Sequence, residues 1–388
     1  MNYFDIIILG AGASGCMCAI VGAKTGKSIL IVDRLSKAGK KLMATGNGRC
    51  NLSNNNLSPS VKYFNQDIEN YLFKFGKNDT LKFFNSLGLV TYSDDEGRIY
   101  PYSNSAKSVV EVLNNEIARH KNITLSLENE IISVEKKDGF FNIISSKGEF
   151  FCKKLVVATG GKSAENIFEK FDLVSKPFKP SLVALKTQST RGIENIKVSN
   201  VKIESVSGNK KYSDYGEILF KDSGISGIAT FNVSTLFARQ NNFNGNVYID
   251  LMPNKSEESL KTLLRKRKSL NVKISNFFDG FFVNQLGFYI LNNAKIQNED
   301  RDCSNLSEKE IENLVHSIKN ISLKVKGHYE NNQVHSGGIR LEDLTSNLES
   351  KKIKNLYFCG EVCDVDGICG GYNLQWAWTS GHIVGENL

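Results

Sequence analysis

The sequence predicts an α/β fold with a β-rich insertion. Three features point there: an unbroken strand, glycine turn, helix and strand over residues 5–33, two later apolar strands that end in glycine, and short alternating strands over residues 182–254. With 388 residues, 40% hydrophobic and 23% charged, the chain has apolar material for two or three domains.

Residues 5–33 read DIIILGAGASGCMCAIVGAKTGKSILIVD. The apolar run Ile6 to Leu9 is a buried strand that enters Gly10-x-Gly12-x-x-Gly15. A helix follows to about Lys24, and a second apolar strand, Ser28 to Val32, ends at Asp33. Gly10 permits the tight turn, Gly12 lets the backbone approach a pyrophosphate, and Gly15 lets helix and strand pack closely. The phosphates then meet the positive end of the helix, so Ala11, Ala13 and Ser14 belong to the same cradle. Asp33 lies 18 residues past Gly15, near the spacing of about 20 at which a carboxylate bonds an adenosine ribose. Arg34 follows it. The Asp33 carboxylate would repel a 2′-phosphate, so the motif selects FAD or NAD over NADP and leaves those two open.

Next comes KKLMATGNGRCNLSN (40–54), too rich in glycine and asparagine for a strand or a stable helix, and read as a loop. ITLSLENEIISVEK (123–136) and FFNIISSKGEFFCKKLVVATG (140–160) suggest a β-meander closing the first half of this domain, with the backbone near Ile132 placed to meet an adenine. The insert strands are LVALKTQ, VKIESVSG, GEILFKD and NVYIDLM, and 182–254 reads as all-β. Residues 255–319 read as helical: KSEESLKTLLRKRKSL and LSEKEIENLVHSIKN each begin at a capping-type serine and repeat apolar residues every three or four positions. The expected domains are 1–185 and 333–388 for the nucleotide-binding part, 186–254 with 320–332 for the β-rich insert, and 255–319 for a helical subdomain.

Three late features choose FAD. LVVATGG (155–161) is an apolar strand ending in Ala158, Thr159, Gly160 and Gly161, and NLYFCGE (355–361) ends in Gly360 and Glu361. Both resemble the later signatures of two-dinucleotide-binding-domain flavoproteins, in which distant segments return to one FAD. GGYNLQWAWTSG (370–381) opens a final helix at a glycine pair. Its first amides, around Gly371, Tyr372, Asn373 and Leu374, would face the flavin pyrimidine, where negative charge collects on reduction. Taken singly, each is also consistent with a buried strand and turn, or with a packed last helix whose Trp376 and Trp378 fill core.

KAGKKLMATGNGRCNLSN, DEGRIYPYSNSAKSVVEVL (95–113), GEILFKDSGISGIA (216–229) and YFCGEVCDVDGICGGYNLQWAWTSG (357–381) together resemble the HI0933-like flavoproteins, also called the BaiN or aminoacetone-oxidase family, from residue 4 to the C-terminus. The resemblance implies a Rossmann-like FAD-binding domain made from both chain ends, with a β-barrel-like insert and a small helical subdomain. It also implies that Gly48, Arg49, Cys50 and Asn51 line the cofactor, with Lys41, Thr45 and Gly46 in the same loop. Chemistry agrees: Arg49 is a fixed cation, Asn51 a hydrogen-bonding group, and Cys50 small and polarizable. With no second cysteine near in sequence, Cys50 reads as a packing or flavin contact rather than a redox thiol. The chain departs from the family twice: AENIFEKFDLVSKPFKPSLVAL lacks the usual glycine-rich loop after Gly161, and His335 in QVHSGGI (333–339) replaces a usual threonine. His335 reads as a loop residue, with a proton donor near the flavin as the alternative.

The eight cysteines and five histidines show no metal-ligand spacing. The charge of +8 includes Lys261 to Lys268 (KTLLRKRK), which reads as a solvated helix face before a nucleic-acid groove. The start has no basic region ahead of its short apolar run, and no apolar stretch nears the roughly 20 residues that span a bilayer, so a cytoplasmic protein is expected. No heptads indicate an oligomeric state. Only one complete GxGxxG is present, so NAD(P)H, if it is the electron donor, docks transiently. The leading reading is an FAD-dependent oxidoreductase moving a hydride between flavin and a small organic substrate, with NAD(P)H as donor. The alternatives are an amine oxidase using oxygen, an RNA-modifying or RNA-binding flavoprotein, and a flavin-bound protein without turnover. Arg49, Tyr372 and His335 are catalytic candidates only by expected nearness to the flavin.

Overall fold

The computed structural model describes residues 2–57, 63, 67–188, 190–296, 300–330 and 334–388, leaving aside the side chain of residue 162. The chain divides into two compact units, Met1–Lys179 with Val334–Leu388, and Pro180–Gln333.

In the first unit β1 (Asn2–Leu9), α1 (Ala13–Gly22) and β2 (Ile29–Val32) make the crossover that the glycine pattern predicts. β1 lies parallel to β2, Ile6 opposite Ile29. Ile6 to Leu9 and Ile29 to Val32 are all buried. Such continuous apolar runs suit a strand covered on both faces, each large side chain contributing about 1.5–3 kcal/mol. A small antiparallel sheet follows, of β3 (Ser53–Asn54), β4 (Thr91–Ser93) and β5 (Arg98–Pro101), with α2 (Glu69–Lys74) and α3 (Lys77–Ser86) between its first two strands. α4 (Ala106–Arg119) starts where the Ser105 hydroxyl accepts from the Lys107 amide, and it buries Ala106, Val109, Leu113 and Ile117, one face of a helix.

The expected meander is corrected at its start. β6 (Ile123–Ser126) pairs in parallel with β2 at one edge of the sheet, and only β7 (Ile131–Lys137), β8 (Phe140–Ser145) and β9 (Gly148–Val157) form the antiparallel run. The break falls at 127–130, where the chain is irregular. β9 also lies parallel to β1, which gives the order β6-β2-β1-β9-β8-β7. The segment without the family's glycines forms α5 (Glu165–Lys170) and β10 (Ser175–Ser181).

The second unit is a closed barrel of β11 (Leu185–Thr187), β12 (Lys197–Ser207), β13 (Lys210–Lys221), β14 (Gly224–Ser226), β15 (Gly245–Asp250) and β16 (Ile321–His328), in the order β11-β14-β13-β12-β15-β16. The all-β reading of 182–254 fails at α6 (Ile228–Gln240), whose Ala229, Val233 and Phe237 enter the barrel core at four-residue spacing. Its β-branched and aromatic residues (IATFNVSTLF) disguise it as strand. α7 (Glu257–Lys268) and α9 (Glu308–Lys319) start at Ser256 and Ser307, the latter with Glu310 completing a capping box. With α8 (Asn284–Asn293) they share one buried core with the barrel, so these helices belong to the barrel's unit rather than to a separate subdomain.

The chain re-enters the first unit at β17 (Val334–Ile339). It adds β18 (Leu356–Phe358) in parallel to β9, and ends in α10 (Tyr372–Glu386). α10 crosses α1 at glycine: a Cβ on Gly381 would lie 2.4 Å from the Ser14 carbonyl, and one on Gly385 2.7 Å from Val21 Cβ. Among the described residues no helix is long and apolar enough to cross a membrane.

Candidate functional site

The carboxyl ends of β1, β2, β9 and β18 meet at the glycine turn. A Cβ on Gly10 would lie 2.4 Å from the Ala158 carbonyl and one on Gly15 1.9 Å from the Gly10 carbonyl, so both positions are closed by backbone. Gly12, the N-cap of α1, would meet nothing within 4 Å. Two of the three glycines therefore serve close packing, and the third leaves the terminus of α1 open beside half-buried Ala13, while Ser14 is buried with its hydroxyl donating to the Cys359 carbonyl at 3.3 Å. Asp33 is anchored from both sides, Oδ2 accepting from the Ala11 amide at 2.7 Å and Oδ1 from the Leu35 amide at 2.8 Å. Arg34 beside it is exposed. Ser126 and Asn129 flank Asp33 through backbone hydrogen bonds, and Ile132 projects to solvent from a bulge in β7.

The 40–51 loop winds as tight turns broken at Thr45, Gly46 and Asn47. Gly46, Asn47, Gly48 and Cys50 all have positive φ, at 56°, 56°, 80° and 60°. Here the glycines answer a backbone demand that Asn47 and Cys50 meet at a cost. The Thr45 hydroxyl donates to the Leu42 carbonyl at 2.7 Å. Arg49 lies with its guanidinium carbon 4.4 Å from the centre of the Tyr100 ring, donates at 3.4 Å to the Gly46 carbonyl and the Tyr100 hydroxyl, and pairs with no carboxylate among the described residues. Tyr100 stands in DEGRIYPYSNS, where nothing in its sequence context marks it as a partner of Arg49. Burial pushes the Cys50 thiol up to about 12, which keeps it protonated and disfavours a redox thiolate. Asn51 is buried, and its Oδ1 has no hydrogen-bond partner among the described residues.

Three distant segments converge on Glu361. Its carboxylate accepts from the Lys41 ammonium at 2.6 Å, from His335 Nδ1 at 2.8 Å and from the His335 amide at 3.0 Å. Burial alone would raise its pKa, but the His335 hydrogen bond and the Lys41 charge outweigh burial and hold it at about 2. The His335 ring also covers Gly161, where a Cβ would come 2.8 Å from Nδ1. His335 is therefore a strand residue tied to the site, which corrects its reading as loop. Ala158, Thr159 and Gly160 complete the turn after β9, with Gly160 at φ 76°.

Tyr372 is buried, its hydroxyl donating to the Asn56 carbonyl at 3.2 Å, which places it in the packing of the 50s loop. Gly371 caps α10 at φ 98°, where a Cβ would lie 2.4 Å from the Ser53 carbonyl. The Asn373 side chain bridges both backbone groups of Gly367, and Leu374 is half-buried beside it. Behind Gly360, the Trp376 indole donates to its carbonyl at 3.0 Å and the Ser380 hydroxyl accepts from its amide at 2.8 Å. Trp378 donates to the Leu52 carbonyl. The tryptophans are thus both core and scaffold for the site.

The open helix terminus at Gly12 and the Asn51 oxygen, without a hydrogen-bond partner among the described residues, fit an elongated, anionic, hydrogen-bonding cofactor such as FAD. The family model of the HI0933-like protein Rossmann domain matches residues 4–387.

The chain belongs to the HI0933-like family.

It is thus a flavoprotein oxidoreductase with a Rossmann fold, and FAD is its cofactor. Among HI0933-like relatives, the 3-dehydro-bile acid delta(4,6)-reductase of Clostridium scindens is 33% identical, over 98% of this chain and 97% of that protein. The ribosomal RNA dihydrouridine synthase of Escherichia coli is 29% identical, over 100% and 98%. Among solved structures, the 3-ketosteroid delta1-dehydrogenase of Sterolibacterium denitrificans covers 100% of this chain and 99% of its own at 12% identity and a TM-score of 0.51, a likeness of fold.

Proposed function

We propose that this HI0933-like protein is an FAD-dependent reductase that adds a hydride to a carbon–carbon double bond conjugated to a carbonyl, with NAD(P)H as electron donor. The observation that carries the reading is Arg49, a cation without a carboxylate partner among the described residues, held on Tyr100 in the loop of the orphaned Asn51 oxygen. Bound FAD supplies the hydride. When a hydride reaches the β carbon of such a substrate, negative charge develops on the carbonyl oxygen, and a fixed guanidinium stabilises it. A proton from solvent water then adds at the α carbon, completing the gain of two hydrogens. The names of the two full-length relatives support the choice: a reductase acting on a 3-oxo bile acid and a synthase of dihydrouridine both describe saturation of a double bond conjugated to a carbonyl.

A second reading places the double bond in an RNA uracil. Besides the relative's name, the barrel surface favours it. Lys221 and Lys186 lie 4.7 and 5.5 Å from the centre of the Tyr329 ring, with Lys324 and Lys326 exposed on the neighbouring β16. Ammonium groups around an aromatic ring suit phosphates and a stacked base. One experiment addresses both. The holoprotein, reduced anaerobically with one equivalent of dithionite, is mixed with a 3-oxo-4-ene steroid or with a uridine-containing RNA. Return of flavin colour and gain of two hydrogens by one substrate supports the proposal and names the class. If both leave the flavin reduced, while oxygen reoxidises it rapidly and a primary amine bleaches the oxidised holoprotein, the reading is wrong.

A further inference from the structure

The sheet order places Glu361 relative to Asp33 and the glycine turn. Asp33 ends β2, the glycine turn follows β1, and Glu361 follows β18, which flanks β9 on the side of β1 away from β2. A dinucleotide with its ribose at Asp33 and its pyrophosphate at Gly12 therefore presents its next polar stretch, the ribityl chain, at the ends of β9 and β18. There Glu361 Oε2 would lie 4.0 Å from a Cβ on Gly160. A carboxylate has about four acceptor sites, and Lys41 Nζ, His335 Nδ1 and the His335 amide occupy three.

We propose that His335 is a positioning residue for FAD: it clamps Glu361 Oε1 through its ring and its amide, and so aims the remaining acceptor of that carboxylate at a ribityl hydroxyl. This rests on FAD as the cofactor, not on the identity of the substrate. The location is suited to the task. His335 is the second residue of β17, beside Phe178, whose ring centre is 6.3 Å from that of the imidazole, and over Gly161, where a side chain would collide with the ring. A ring held between an aromatic edge and a glycine backbone has little freedom, so its Nδ1 is a fixed donor rather than a mobile one. Because the histidine acts through the carboxylate, its contribution should disappear when the carboxylate is absent.

That dependence is the test. Apoprotein prepared from the full chain is titrated with FAD, following flavin fluorescence, for wild type, His335→Leu, His335→Asn, Glu361→Gln and the double variant His335→Leu with Glu361→Gln. Loss of a charge-assisted hydrogen bond predicts that His335→Leu weakens FAD binding roughly 10- to 100-fold. Asn carries an amide nitrogen where Nδ1 stands, so His335→Asn is expected within about threefold of wild type, and the double variant should bind FAD as Glu361→Gln alone does. Equal weakening by Leu and Asn, or a further full loss in the double variant, overturns the proposal, as does unchanged affinity in His335→Leu. If Leu perturbs the fold, seen as a lower apoprotein melting temperature, His335→Ala replaces it in the same cycle. The titration reads cofactor binding alone, so it stands or falls separately from the assigned reaction.

Discussion

At the scale of single residues, the site separates groups that build the cradle from those free to act. Gly15 is of the first kind: with a Cβ placed 1.9 Å from the Gly10 carbonyl, Gly15→Ala must displace the turn, and the purified variant is expected to carry no flavin colour. Arg49 is of the second kind. Arg49→Met keeps the length of the side chain and removes the charge, so FAD content should stay near wild type. Reoxidation of the reduced flavin by the conjugated substrate should slow by roughly 10²-fold, the size of losing one charge-stabilising group in a transition state. Glu361 gives a pH signature. Its folded pKa of about 2 lies below the ordinary 4.5, so its stabilising effect is complete above 4.5 and is lost as pH falls toward 2. Thermal melting of wild type and Glu361→Gln should therefore differ at neutral pH and converge on acidification, whereas a constant gap at all pH values would contradict that account.

At the scale of elements, patterns with local causes were legible and pairings across the chain were not. The strand, turn and helix of 5–33 could be read because consecutive residues carry the signal, and so could the helices beginning at Ser256 and Ser307. Ser307→Ala tests the latter: loss of its bond to the Glu310 amide should cost about 1 kcal/mol, read as a lower melting temperature with FAD affinity unchanged. α6 was missed because its β-branched content hides a four-residue period that only the barrel core makes decisive. The place of β6 beside β2 was missed for a related reason, since a short strand of mixed burial does not declare its neighbour. His335 and Tyr100 show the same limit: their partners Glu361 and Arg49 lie 26 and 51 residues away, and nothing in a single sequence marks such pairs.

At the scale of the whole molecule, the first unit holds every residue expected to meet the cofactor, brought from both chain ends to the ends of four parallel strands, while the second unit is a barrel with its own core. One full glycine motif accounts for one resident dinucleotide, and under the proposed function NAD(P)H docks transiently as electron donor. The most direct test of a nicotinamide-linked flavin reductase is therefore anaerobic mixing of the holoprotein with NADH and, separately, with NADPH, followed through the visible absorbance of the flavin. The account predicts bleaching within seconds by at least one of them. An absorbance that stays flat for many minutes with both would contradict it, and would move the search to direct hydride donors such as amines.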